Sequence, residues 1–200
     1  MAQVENANII LASQSESRKR QLTEAGIVFE VMVSHADETP DTTKSFGAQL
    51  AEIALRKALT IQNQTAVRGP RVIVAADMNV VFDGKMYGKP KTIEEARSLI
   101  KSMQGSSEIY GYTGNAILLS DKDRVLEMIN VTDIARMSMD HIPDTTLEDY
   151  LANQKPLTKC GGFTIMDAPF VHLEEGRYST ACGLTTEYVE EMIKRLFNIM

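Results

Sequence analysis

The chain reads as an α/β protein built on a mixed sheet, and three observations lead there. An unbroken apolar run, Val72-Ile73-Val74-Ala75-Ala76, has the make-up of a strand buried on both faces. Similar short apolar runs alternate along the chain with segments whose apolar residues fall at helical spacing. Residues 116–119 and 125–131 flank Asp121-Lys122-Asp123, which predicts a long antiparallel pair within residues 106–139.

Taken in order, Ile9-Ile10-Leu11-Ala12 is the first core strand, followed by the hydroxyl-rich loop Ser13-Gln14-Ser15-Glu16-Ser17. A helix opening on Arg18-Lys19-Arg20 ends near Gly26. Ile27, Phe29, Val31 and Val33 alternate, predicting a half-buried strand that runs into the acidic turn at residues 35–40. The next helix begins near Ser45 and carries the stripe Phe46, Leu50, Ile53, Lys57, Ile61. After the central run, Asp83-Gly84 turns a hairpin, and Thr92-Ile93-Glu94-Glu95 is a capping box for a helix stopped at Gly105. Thr113-Gly114 marks a bend or bulge, residues 145–151 a short helix, residues 160–166 a glycine-opened strand, and residues 184–197 a closing helix.

Totals narrow the function classes. Two hundred residues, 44% apolar and 24% charged, fit one soluble domain over residues 1–200. No apolar stretch approaches the ~20 residues of a membrane span. The first residues lack the basic-then-apolar pattern of a signal peptide, so a cytoplasmic protein is expected. Cys160 and Cys182 make neither a disulfide framework nor a zinc site. The net charge of −6 argues against a nucleic-acid polymer as partner, though not against a local basic pocket for one small anion.

Three places break local rules. Asp77 ends the apolar run, where an ionised acid is costly unless a cation, a metal or several donors meet it. Taken alone, it reads better as a strand-end acid capping a turn beside a solvated Lys89, which Gly88-Lys89-Pro90 carries on a stiff backbone. Arg18-Lys19-Arg20 puts cations where the helix dipole favours acids; with Ser13 and Ser15 upstream this is an anion trap, or long side chains pointing into water. Lys57 falls on the apolar stripe, so it either snorkels or points into an internal polar site. Glu38, on its loop, carries little by itself.

These stretches, in this order, resemble the Maf (septum-formation protein) family of nucleoside triphosphate pyrophosphatases. The resemblance runs through Leu11-Ala12-Ser13-Gln14-Ser15, Asp37-Glu38-Thr39-Pro40, Lys57-Ala58, Ala76-Asp77 with Val80-Val81, Gly88-Lys89-Pro90, Thr113-Gly114, Cys160-Gly161-Gly162-Phe163, and Tyr178-Ser179 with Gly183-Leu184. It implies a Maf/ITPase-like α/β fold, a mixed twisted sheet with flanking helices and two lobes around a central cleft. It also implies a homodimer and cleavage of a nucleoside triphosphate to monophosphate and pyrophosphate with a divalent metal, magnesium or alternatively manganese. Residue by residue, Asp77 matches the catalytic acid, Glu38 and Asp77 the metal ligands, and Ser13, Ser15, Arg18, Lys57 and Lys89 the phosphate-binding groups.

Departures from the family pattern concern base choice. Ser17 stands where bacterial members carry an arginine or tryptophan, Met78 where they carry Thr or Gln, and Met166 where they carry Gln or Glu. Two methionines make a softer, less directional wall, which predicts a looser or altered base preference that includes non-standard nucleotides. The segment around Tyr178-Ser179-Thr180 and Gly183-Leu184-Thr185 also lacks the Asn and Pro often found there. Two rival readings exist. A haloacid-dehalogenase-type phosphatase needs a second Asp where Lys85 stands. A non-catalytic nucleotide sensor or cell-division regulator on the same scaffold would bind triphosphate without releasing pyrophosphate.

Overall fold

The computed structural model describes residues 8–64, 69–122 and 124–199. The elements in order are β1 (Asn8–Leu11), α1 (Glu16–Glu24), β2 (Glu30–Val31), α2 (Phe46–Gln64), β3 (Pro70–Phe82), β4 (Lys85–Tyr87) and α3 (Ile93–Met103). There follow β5 (Ile109–Asp121), β6 (Arg124–Met139), α4 (Asp144–Asn153), β7 (Val171–Glu175), α5 (Tyr178–Ala181) and α6 (Thr186–Ile199). The sheet is mixed, with order β2-β1-β3-β5-β6-β7 and β4 on β3. β1 runs parallel to both β2 and β3, while β4 and β7 pair antiparallel with β3 and β6. No helix among the described residues is long and apolar enough to cross a membrane.

The chain divides into two compact units: Met1–Asp77, Thr113–Asp133 and Gly183–Met200 form the first, Met78–Tyr112 and Ile134–Cys182 the second. In the first unit the sheet is buried on both faces, which explains the continuous apolar run at its centre. Ile9, Leu11, Val72, Val74 and Ala76 pack with Leu22, Leu184, Val189 and Leu196. Ile10, Ile73 and Ala75 pack with Ala54, Ala58 and Ile61 of α2. Each large apolar side chain so buried contributes about 1.5–3 kcal/mol. Strand alternation therefore hands odd positions of β3 to α2 and even positions to α1 and α6.

The second unit closes around Val80, Ile100, Met103, Ile109, Met137, Leu147, Leu151, Phe163 and Phe170. Thr92 caps α3, accepting from the Glu95 N–H at 3.1 Å, while the Glu95 carboxylate reaches back to the Lys91 N–H at 2.7 Å. Asp83 and Gly84 both take positive φ, 48° and 67°, as a two-residue hairpin requires.

Several expectations need correcting. β3 does not stop at Asp77 but continues to Phe82, because the strand keeps pairing past the acid and meets β4 at Val80–Phe82. The alternating segment 27–33 keeps only Glu30–Val31 as strand. Ile27 is held by its N–H on the Leu22 carbonyl, as the end of α1, so its burial comes from a helix terminus. Residues 160–166 form no strand: Gly161 and Gly162 take φ of 67° and 84° and coil the chain into a 3-10 turn. Gly114 lies within β5. A Cβ there would lie 2.3 Å from the Leu50 backbone, so its role is the close approach of α2. Lys122 takes a φ of 52° in the predicted turn, and Asp123 lies outside the described residues.

Candidate active site

The parity of β3 sets the first constellation. Asp77 follows Ile73 and Ala75 on the face that meets α2, and on α2 Lys57 lies one turn from Ala54 and beside Ala58. The ammonium of Lys57 bonds Asp77 Oδ1 at 2.6 Å and lies 2.9 Å from Glu38 Oε2. The Lys57 side chain is only 8% exposed, against 17% for Asp77 and 57% for Glu38. Lys57 does not snorkel: it points into an internal polar site, and it is the cation that meets the half-buried acid.

Glu38 is delivered by an ordered turn. Asp37 Oδ1 accepts the Thr39 N–H at 2.8 Å, and Arg56, the neighbour of Lys57 on α2, donates to the Thr39 carbonyl at 2.7 Å. The hydroxyl and N–H of Thr39, with Arg56 behind them, hold the Asp37 carboxyl below its ordinary range. Arg56-Lys57 thus grips the acidic turn twice, once by backbone and once by side chain. The available signal for it was Lys57 on the apolar stripe, with Arg56 next to it in sequence.

The second constellation is the serine loop. α1 begins at Glu16, two residues earlier than predicted, so its first turn does contain an acid. Lys19 pairs with Glu16 and Arg20 with Glu24, each at 2.8 Å, on the helix surface. Arg18 turns back on the loop: Nη1 donates to Ser13 Oγ at 3.0 Å and Nε to the Gly183 carbonyl at 2.8 Å. Ser13 also accepts the Ser15 N–H at 3.2 Å, and Ser15 is the N-cap residue of α1, with its own hydroxyl making no cap bond. The anion trap is therefore narrower than the sequence implied. Loop and acid follow the carboxyl ends of the paired segments of β1 and β3, in register at Leu11 and Val74. That is where open parallel sheets bind ligands.

Ser17 is half-buried on α1, beside Arg18. Lys89, Met78 and Met166 belong to the second unit. Lys89 is exposed, and Met78 and Met166 are half-buried. The Met78 methyl lies 3.2 Å from where a Cβ on Gly111 would sit, and its carbonyl accepts from the Cys160 thiol at 2.9 Å. The Met166 N–H bonds Thr164 Oγ1 at 3.5 Å, in a turn backed by the ion pair of Lys159 and Asp167 at 2.8 Å. Asn115 and Thr185 are both fully buried; Asn115 was not singled out from the sequence, where an isolated Asn in an apolar strand is a slight hint, and Thr185 stood out there only as a departure from the family pattern.

Among the described residues no group of three or more His, Cys, Asp or Glu could hold a metal ion by itself. Asp77 and Glu38 nevertheless converge on one point, the Lys57 ammonium. Two carboxylates suit magnesium, which retains waters and takes its remaining ligands from substrate phosphates. The two carboxylates are donors that such an ion would fit.

The chain is similar to known proteins along nearly its whole length. The dTTP/UTP pyrophosphatase of Salinibacter ruber is 31% identical over 192 residues, covering 94% of this chain and 91% of its own. That of Pelodictyon phaeoclathratiforme is 33% identical over 195 residues, covering 93% and 96%. Among solved structures, a HAM1 protein from Coxiella burnetii covers 68% of this chain and 75% of its own at 16% identity, with a TM-score of 0.41, too low to add to the assignment. The description of Maf-like protein matches residues 8–196, nearly the whole length, and on that match the chain belongs to the Maf family.

Proposed function

We propose that this protein hydrolyses a nucleoside triphosphate to the monophosphate and pyrophosphate. The observation that carries this reading is the buried Lys57 joining Asp77 and Glu38 in a member of the Maf family. The names of its relatives, dTTP/UTP pyrophosphatases, support the same reaction class and make dTTP and UTP the first substrates to try.

The reaction adds water at the α-phosphorus: the new P–O bond forms as the bond to the β-phosphate oxygen breaks, and pyrophosphate leaves. Asp77 orients the attacking water and takes up its proton. Lys57 fixes the Asp77 carboxylate in one orientation and brings Glu38 beside it. Ser13, Ser15 and Arg18 hold phosphate oxygens with hydroxyl, loop and guanidinium donors, and Lys57 and Lys89 supply further positive charge. Asp77 and Glu38 would hold a magnesium or manganese ion, which neutralises charge on the phosphates in reactions of this kind. Ser17, Met78 and Met166 set base choice, and the two thioether side chains, with no strong donor or acceptor, give it less directional readout than amides would. The reading extends to residues 1–200 acting as one functional domain in a cytoplasmic homodimer, which light scattering of the purified chain checks.

A pyrophosphate-release screen tests the proposal across dTTP, UTP, the other common nucleotides and modified pyrimidine triphosphates, with magnesium or manganese. Turnover that vanishes in Asp77→Asn supports it. Triphosphate binding with no pyrophosphate released under any of these conditions refutes it in favour of a sensor.

A further inference from the structure

Three consecutive residues before α6 are each gripped by a side chain from elsewhere in the first unit. The Gly183 carbonyl accepts from Arg18 Nε at 2.8 Å, and the Leu184 carbonyl accepts from Gln21 Nε2 at 2.8 Å. Thr185 is bound twice by Asn115: its N–H donates to Oδ1 at 3.0 Å, and its hydroxyl accepts from Nδ2 at 3.1 Å. Asn115 is itself fixed. Its Nδ2 also donates to the Thr113 carbonyl at 3.0 Å, and its carbonyl accepts from Asn130 at 3.0 Å. Asn115, Thr113 and Thr185 are all fully buried, so these bonds form where no water competes.

The strap has little stiffness of its own. Gly183 takes a φ of 100°, and the position after Leu184 is a threonine rather than the proline that would lock the backbone. A proline at 185 could not donate the N–H that Asn115 receives. The two-point clasp therefore replaces ring rigidity with a hydrogen-bonded anchor reaching across from β5. What the anchored strap presents is the Gly183 carbonyl, and Arg18 rests on it by Nε while resting on Ser13 by Nη1. Two bonds to a planar fork fix the plane of the guanidinium.

We propose that Asn115 and Thr185 are positioning residues for phosphate binding, acting through the 183–185 strap to set the orientation of Arg18. The inference rests on the reading of Arg18 as a phosphate ligand given above. The pair touches no substrate, so its effect reaches the reaction only through Arg18.

A double-mutant cycle on the full chain tests this, with KM and kcat for dTTP or UTP measured by pyrophosphate release and folding followed by circular dichroism. Arg18→Ala is expected to raise KM by at least tenfold. Thr185→Val keeps shape and N–H but removes the hydroxyl, and is expected to raise KM about three- to tenfold with a smaller change in kcat, the worth of one hydrogen-bonded anchor. Thr185→Ser is expected to restore KM, and Thr185→Val placed on Arg18→Ala is expected to add nothing further. Should the added methyl of valine prevent folding, Thr185→Ala removes the same hydroxyl and carries the same expectation. A normal KM in the folded Thr185 variants beside a raised KM in Arg18→Ala overturns the positioning role and leaves the phosphate site intact. So does an equal KM increase from Thr185→Val with and without Arg18. A normal KM in Arg18→Ala instead refutes the phosphate reading itself.

Discussion

Asp77→Asn separates chemistry from folding. The amide retains an oxygen in the place of Oδ1, so the 2.6 Å bond from Lys57 survives as an uncharged acceptor. The ammonium also keeps Glu38 at 2.9 Å, so it is not left as a lone buried charge, the situation that costs about 3–5 kcal/mol. Because Glu38 is 57% exposed, its compensation is partial, and a net loss of about 1–2 kcal/mol is expected. For a chain of 200 residues that lowers the melting temperature by about 2–8 °C. Loss of a general base or water-orienting carboxylate costs about 10²–10⁴ in rate. Pyrophosphate release and thermal melts on the same preparation give both numbers. Lys57→Met is the control: it leaves the mostly buried Asp77 carboxylate without its cation and is expected to cost more stability than Asp77→Asn. Turnover within threefold of the parent in a folded Asp77→Asn variant would falsify the assignment of Asp77. A stability loss larger than that of Lys57→Met would show that the ion pair is organised otherwise.

Other perturbations reach other parts of the molecule. Chelation of divalent ions is expected to stop pyrophosphate release, and added magnesium or manganese to restore it; full activity in chelator counts against Glu38 and Asp77 as metal ligands. Replacing Met166 by Gln is expected to narrow the range of bases hydrolysed, read as a wider spread of kcat/KM across nucleotides; an unchanged spread removes Met166 from base choice. Gly114→Ala pushes a Cβ to 2.3 Å from the Leu50 backbone, so α2 must move, at a cost of at least about 3 kcal/mol in a melt. Hydrogen bonding from Arg97 lowers the Glu148 carboxyl, and hydrogen bonding from Arg136 lowers that of Glu175. A carboxyl depressed in the folded state stabilises above its unfolded value near pH 4.3 and loses that contribution as pH falls through the lower folded value. Melting temperature is therefore expected to drop below about pH 4, with Glu148→Gln and Glu175→Gln together flattening the drop.

The sequence disclosed elements whose periodicity is long or whose caps are explicit. The stripe of α2 and the Thr92 cap of α3 lie where they read, because each is decided within a few turns of chain. Segment 27–33 misled because an apolar residue closing a helix and one opening a strand look alike in single file. Cys160-Gly161-Gly162 misled because an apolar strand and a coiled turn share composition until the glycine φ values are known. In the candidate site, Asp77 and Lys57 were legible as rule-breakers, each a charge where burial was expected. That they answer each other was not, because twenty residues separate them and only sheet parity joins them. Asn115 was still less legible, being ordinary alone; Thr185 stood out only as a departure from the family pattern, and the contact across seventy residues is what gives the pair a role.

The same parity constrains what the site tolerates. Ile73, Ala75 and Asp77 face α2, while Val72, Val74 and Ala76 face the other layer, and both layers are fully packed. A one-residue slip of β3 against β1 would move every one of these side chains to the opposite face. Asp77 would then leave Lys57 and turn toward the apolar layer built on Leu184 and Val189. The small Ala75 and Ala76 at the end of the run allow close packing on either face, so they do not by themselves fix the register. The bulkier Ile73 and Val74 do, paired in step with Ile10 and Leu11. Register-setting packing therefore lies three and four residues before Asp77, and the acid is held in place by apolar residues that take no part in the chemistry. On this view Ile73→Ala misplaces Asp77 as well as opening a cavity. Its expected signature is a fall in kcat alongside the usual ~2–5 kcal/mol loss of stability. An unchanged kcat in the folded variant would mean that the Lys57 ion pair alone holds the acid.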